Sequence, residues 1–323
     1  MNWIKFVKSK NTKFYLVYFS LCLIFAILVV EVSFNLVTIS SGVGAGSASK
    51  RWFNEYWTPI NADGYRDFDV SINKNQKTIL FLGDSFTAGH GVKLQETYYF
   101  FMRERLSSQF NLVNLGENGS NTQRQLVNLK LFLSKYDVQP RYIVHQYFVN
   151  DIADYIEPIN VQKSSLRRAL ADVSEAFNFV DTYFFISEFT SKYSSQLNEA
   201  YGDKDILEKH LSDLKKIHQL AYEKKSNIVL ILFPFLNGDE QIKTSSTYTQ
   251  RIKESFLHSC KKDDILIDVS PLASSLDTNE RVVNLMDAHP SPRLHRMVGE
   301  LLFKGLSREG GEFVNDGLIR CRQ

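Results

Sequence analysis

The sequence predicts an α/β protein built on an open parallel sheet, and three observations carry that reading. Short apolar runs at Thr78–Leu82, Leu112–Leu115, Tyr142–Phe148, Ile228–Phe235 and Ile265–Val269 alternate with segments of helical periodicity. These runs are apolar almost without interruption, as strands covered on both faces are. The first run ends abruptly in Gly83-Asp84-Ser85 with a Gly-rich turn behind it. Open α/β sheets bind ligands at the carboxyl ends of their strands, so this turn marks a candidate site.

The N-terminus comes first in the chain and belongs to a different environment. Phe14 to Val30 is 17 residues without a charge, preceded by Lys5, Lys8, Lys10 and Lys13 and followed by Glu31. A hydrocarbon core about 30 Å thick needs roughly 17–25 helical residues, so residues 14–39 are expected to form one membrane-spanning signal anchor. A cleaved signal peptide has a shorter apolar region of about 7–15 residues, and the small residues Gly46-Ser47-Ala48 lie too far downstream to serve it. Leu21 precedes Cys22, which argues against a lipoprotein site. The basic flank predicts a cytoplasmic segment 1–13 and a translocated remainder, periplasmic or extracellular.

Residues 40–50, rich in Ser, Gly and Ala, read as a flexible linker. Residues 51–323 then form one domain, 44% of the whole chain being apolar and 23% charged, which excludes a disordered protein. A net charge of +2 gives nucleic-acid binding no electrostatic support. Helices are expected at about 96–109, 122–136, 204–225, 246–260 and 292–306, separating the strands as crossovers of a doubly wound sheet. Residues 152–225 break the rhythm with a helical insertion containing Phe177, Phe179, Tyr183, Phe184 and Phe189. Aromatic residues at helical spacing pack on a core more often than they line a substrate groove. Cys260 and Cys321 lie outside the apolar segment, and two cysteines alone leave their pairing open.

Ser85 is a candidate nucleophile, but a serine hydroxyl needs a base, and the base an orienting partner. His289 in Asp287-Ala288-His289-Pro290-Ser291-Pro292 is the candidate base, on a loop before the last helix, with Asp287 two residues away. Ser291 and Pro292 read independently as the cap and first residue of that helix. Gly119 follows the second run and Asn150 the third, and each offers an N–H donor for an oxyanion. His90 lies close enough to Ser85 to touch substrate but reads more simply as a turn residue, and His145 reads as a core histidine. No His, Cys or carboxylate cluster has metal-ligand spacing, so neither a metal nor another cofactor is expected.

With these residues in hand, the chain resembles the SGNH hydrolases, the GDSL esterase/lipase family, in a bacterial membrane-anchored form. Gly83-Asp84-Ser85 matches the first block of that family, Gly119 the second, Asn150 the third, and Asp287 with His289-Pro290 the last. The segment Asn61-Ala62-Asp63-Gly64-Tyr65-Arg66-Asp67 is similar to one that precedes the first strand in many bacterial members. Two positions depart from the pattern: Phe148 stands where the third block usually has Gly, and the last block is one residue shorter than the usual Asp-x-x-His. The resemblance implies a three-layer α/β/α, flavodoxin-like five-stranded sheet. It also implies a serine esterase with Ser85, His289 and Asp287 as catalytic residues and an oxyanion hole of Ser85, Gly119 and Asn150. The expected substrate is an ester-bearing small molecule, a lipid or an acylated glycan. Acyl transfer or O-acetyl removal on an envelope glycan, or a silent SGNH-fold binding protein, are the alternatives.

Overall fold

The computed structural model describes residues 10–42, 46–158, 164–284, 286–307 and 317–322, so Lys5 and Lys8 of the basic flank lie outside the described residues. The chain groups into two compact units, residues 1–52 with 161–187, and residues 53–160 with 188–323. Residues 161–187 of the expected insertion therefore group with the N-terminal helix and not with the sheet.

In the first unit, Lys10–Leu36 is one helix. Within Thr12–Leu36 the most apolar 18-residue window has a mean hydropathy of 2.5, and none of that window is buried. A second helix, Ser47–Tyr56, starts inside the stretch expected to be linker. The reason is Arg51, whose guanidinium reaches back to the carbonyls of Phe34 (2.6 Å) and Thr38 (3.0 Å). Those carbonyls sit at the end of the first helix, where no intrahelical donor serves them. Helix Ser165–Val173 is capped by Ser164, and Arg167 pairs with Asp181 at 2.7 Å on the next helix, Glu175–Gly202.

The second unit is built on strands β1 (Lys77–Gly83), β2 (Phe110–Gly116), β3 (Pro140–Phe148), β4 (Asn227–Phe233) and β5 (Ile265–Asp268). Two short strands, β6 (Val282–Asn284) and β7 (Asp287–Pro290), follow, then β8 (Leu318–Arg320). The main sheet has order β2-β1-β3-β4-β5-β8, parallel except for β8, which pairs antiparallel with β5. The five expected parallel strands are present, and β8 adds a sixth. β4 stops at Phe233 instead of the expected Phe235 because Pro234 has no N–H to continue the ladder.

Alternation along β1 explains the layers. Ile79 and Phe81 face one apolar cluster with Tyr98, Met102, Val298 and Leu302, from helices Tyr98–Leu106 and Pro292–Leu306. Leu80 and Leu82 face the opposite cluster with Leu129, Phe132, Leu214 and Ile217, from helices Thr122–Tyr136 and Lys204–Glu223. Successive strand residues point to opposite faces, so a strand apolar at every position must be covered twice. Each such fully buried side chain contributes about 1.5–3 kcal/mol.

Cys260, just before β5, is joined to Cys321, just after β8, across a sequence separation of 61. This bond ties the antiparallel edge strand to its neighbour. A bridge closing a loop of that length typically stabilises by about 2–4 kcal/mol.

Candidate active site

β1 lies between β2 and β3, so the chain leaves its carboxyl end where successive connections part to opposite sides of the sheet. That is the switch point at which open α/β sheets form crevices. Ser85 begins a four-residue helix, Ser85–Ala88, directly beyond β1. Asp84 caps it, accepting the Phe86 N–H at 2.8 Å. As the first helical residue, Ser85 has an N–H with no intrahelical acceptor.

The glycine of Gly83-Asp84-Ser85 is required by close approach. A Cβ at Gly83 would lie 2.2 Å from Thr87 Oγ1 and 2.4 Å from Gln146 Oε1. Gln146 Oε1 itself accepts from the Asp84 N–H (3.1 Å) and from Thr87 Oγ1 (2.9 Å), which locks the turn onto β3. The far end of the turn is held by Arg66, fully buried, which donates to the carbonyls of Ala88 (3.1 Å) and Val92 (2.9 Å). Beside it, Asp67 accepts from Tyr99 Oη (2.7 Å) and the Asn114 N–H (2.9 Å). The segment upstream of β1 is thus a brace for the Ser85 turn. Burial lowers the Arg66 pKa to about 10, still far above neutrality.

His289 arrives on β7, in a two-stranded antiparallel ribbon with β6, and not on the loop expected for it. Its Nε2 lies 2.8 Å from Ser85 Oγ, and its Nδ1 lies 2.5 Å from Asp287 Oδ1. Asp287 Oδ1 also accepts the His289 backbone N–H at 3.1 Å. The short Asp-x-His spacing now has a physical account. Residues two apart on an extended strand point to the same face. An ionised carboxylate only accepts, so Nδ1 carries the ring proton and Nε2 is free to accept from Ser85. Ser291 caps the following helix through the Leu294 N–H and Pro292 is its first residue, as expected.

Gly119 and Asn150 follow β2 and β3, the two strands flanking β1. Gly119 is exposed with φ +73°, and a Cβ there would meet nothing within 4 Å, so its neighbourhood is open. Asn150 lies in the 3₁₀ segment Val149–Tyr155, and its Oδ1 is buried without a hydrogen-bond partner among the described residues.

Several further side chains surround this row. The His90 ring lies 4.4 Å from the His289 ring, centroid to centroid, and its Nε2 faces Asp287 Oδ2 at 3.8 Å. Asn118 Nδ2 lies 3.2 Å from His90 Nδ1, an approach that favours the tautomer with the proton on Nε2. Ligand-type atoms of His90, Asp287 and His289 lie within 4.8 Å of one another, a cluster that sequence spacing did not gather. A cation held there would compete with the Asp287–His289 hydrogen bond. Phe86 packs edge-on against His289 and stacks on Phe148 at 4.4 Å.

Two buried carboxyls complete the surroundings. Burial raises the Asp84 pKa to about 6, partly offset by the Phe86 N–H it accepts. Burial, reinforced by the Asp84 charge, raises Asp151 well above the usual carboxylate range. Asp151 is held by the Phe148 N–H (3.0 Å) and by Gln125 Nε2 (2.9 Å). His145 contacts Gln125 Oε1 (2.9 Å) and His218 (3.3 Å), and burial keeps both histidines neutral, as a core role requires.

Fold and site define a class: an open-sheet α/β protein with serine, histidine and aspartate hydrogen-bonded in series beyond its central strand. The chain belongs to the GDSL-like lipase/acylhydrolase family, whose profile matches residues 81–297. It is 26% identical over 125 residues to thioesterase 1/protease 1/lysophospholipase L1 of Escherichia coli K12, a match covering 39% of this chain. The chain spans 58% of that relative's length. Among solved structures it is similar to a lipolytic G-D-S-L family protein from Veillonella parvula DSM 2008, with 15% identity and a TM-score of 0.44. That match covers 72% of this chain and 99% of the other. It is also similar to the acetylxylan esterase Axe2 from Geobacillus stearothermophilus, with 12% identity, a TM-score of 0.47, and 72% and 95% of the two chains covered.

Proposed function

We propose that this protein is a membrane-anchored serine esterase that cleaves O-acyl bonds through Ser85, His289 and Asp287. The observation that carries the reading is the unbroken row from Ser85 Oγ through both nitrogens of His289 to Asp287, with spacings of 2.8 and 2.5 Å. Ser85 Oγ attacks the ester carbonyl carbon while its proton passes to His289 Nε2. The oxyanion is received by the N–H groups of Ser85 and Gly119 and by the Asn150 side-chain amide. As the tetrahedral intermediate collapses, the ester C–O bond breaks and His289 returns the proton to the leaving alcohol. Water then repeats the sequence on the acyl-enzyme, giving the free acid and restoring Ser85.

Anchoring is assigned to the helix Lys10–Leu36, with the hydrolase unit outside the cytoplasm. The basic flank supports this orientation. So does the Cys260–Cys321 disulfide, because such bonds persist in oxidising compartments. The name of the Escherichia coli relative includes a thioesterase and a lysophospholipase, which favours acyl-chain substrates.

Asn150→Ala tests the oxyanion assignment. It is expected to lower kcat on a p-nitrophenyl ester by about 10²–10³-fold with little change in KM, the effect typical of one lost donor. An Asn150→Ala enzyme that is folded by circular dichroism and fully active would remove Asn150 from the site. Supplying a glycan acceptor in the same assay separates hydrolysis from transfer, because transfer leaves an esterified acceptor.

A further inference from the structure

Helix Ser165–Val173 and residues 175–184 of helix Glu175–Gly202 form a pair that carries apolar stripes facing away from protein. Leu166, Leu170 and Val173 recur at helical spacing on the first helix, and Val180, Tyr183 and Phe184 on the second. All six are exposed, Val173 at 77% and Phe184 at 64%. These stripes account for part of the aromatic richness seen in the sequence, and they are not core. The polar sides hold the pair together, Arg167 donating to Asp181 at 2.7 Å, while Arg168 is exposed.

What covers the stripes follows from where the pair is tied. Glu31 is the first charge after the 17-residue uncharged run of the N-terminal helix. At about 1.5 Å per residue that run is roughly 25 Å long, close to a hydrocarbon core. Glu31 caps the second helix of the pair: its Oε1 accepts the Glu175 N–H (2.7 Å), and its Oε2 accepts Ser174 Oγ (2.8 Å) and the Ala176 N–H (3.2 Å). A carboxylate at a helix N-terminus also meets the positive end of the helix dipole. Phe34, three residues beyond Glu31, packs on Phe179 with ring centroids 4.9 Å apart. The pair is therefore fastened to the apolar helix at the level where its first charge appears.

We infer that residues 165–184 form an interfacial membrane-binding element, with the two apolar stripes seated in the headgroup–acyl boundary beside the anchor helix. The inference rests on the reading that Lys10–Leu36 spans a bilayer. Amphipathic helices with basic residues on one face and Leu, Val and aromatic residues on the other bind in this way. Continuity with the anchor selects lipid as the occupant, because a surface held at that depth meets lipid before it meets a soluble partner.

The test uses the full chain in a Cys22→Ser background, reconstituted into vesicles of equal parts phosphatidylcholine and phosphatidylglycerol. Nitroxide labels are placed by Leu170→Cys, Phe184→Cys, Phe19→Cys on the anchor, and Leu131→Cys on an exposed apolar position of the hydrolase unit. Collision with oxygen, which concentrates in lipid, is compared with collision with an aqueous nickel chelate. At Leu170 and Phe184 the oxygen-to-nickel ratio is expected to exceed that at Leu131 several-fold and to approach that at Phe19. Ratios at Leu170 and Phe184 equal to Leu131, with Phe19 lipid-exposed, overturn the inference and leave the anchor standing. An aqueous Phe19 label removes the anchor and the inference together. Labels at Leu170 and Phe184 shielded from both agents mean a protein partner, which also overturns it.

Discussion

Ser85→Ala is expected to lower kcat for ester hydrolysis by on the order of 10⁶-fold while the protein stays folded. In the proposed mechanism the hydroxyl is the atom that forms the acyl-enzyme, and it stands at the head of the row of hydrogen bonds through His289 to Asp287. Loss of the nucleophile leaves His289 and the oxyanion donors in place, so some water-mediated turnover of about 10³-fold over background survives. The substitution removes one oxygen from a half-buried position. The Asp84 cap, the Gln146 lock and the Arg66 brace all act on other atoms of the turn. A Ser85→Ala enzyme within tenfold of the parent, measured on a p-nitrophenyl ester, would mean that another group attacks the substrate.

Asp287→Asn should be the next most damaging change, costing about 10⁴-fold in kcat. The carboxylate performs two tasks that an amide performs badly. In the proposed mechanism it fixes the His289 proton on Nδ1, and it stabilises the positive ring formed when Ser85 gives up its proton. With asparagine, the amide donates to Nδ1, the ring proton moves to Nε2, and Ser85 loses its acceptor. The same Oδ1 accepts the His289 backbone N–H, so an amide nitrogen in its place gives up that bond as well, and circular dichroism of the variant checks that the domain is still folded. A loss below tenfold would mean that a different partner orients His289, and His90, with its ring 4.4 Å away, would be the group to replace next.

The features that local chain physics decides were legible. Helix Pro292–Leu306 begins where expected because Ser291 and Pro292 form an N-terminal cap within the segment itself. The strands read clearly because each is apolar on both faces. The Ser85–His289 pairing followed from chemistry: a strand-end serine and a His-Pro before a helix are each readable, and the sheet brings them together. What escaped depends on long-range contact. Gln146 sits in an apolar strand with nothing local to distinguish it, and its importance lies in two bonds to the Ser85 turn. His90 looked like a turn residue because its partner Asp287 is far away in sequence. The stretch around Ser47 looked like a linker because Ser, Gly and Ala dominate it. Its order comes from Arg51, which reaches carbonyls 13 and 17 positions back. β8 is three residues long, too short for any periodicity, and pairs on the open edge of β5, where the Cys260–Cys321 disulfide also holds it.

The central claim, that His289 activates Ser85 as the nucleophile, is tested most directly by fluorophosphonate labelling of the purified chain followed by peptide mass mapping. One adduct is expected, on Ser85, forming at a rate that collapses when His289 is replaced by Ala. No serine adduct on the parent protein, or an adduct on Ser85 that forms equally fast without His289, would contradict it.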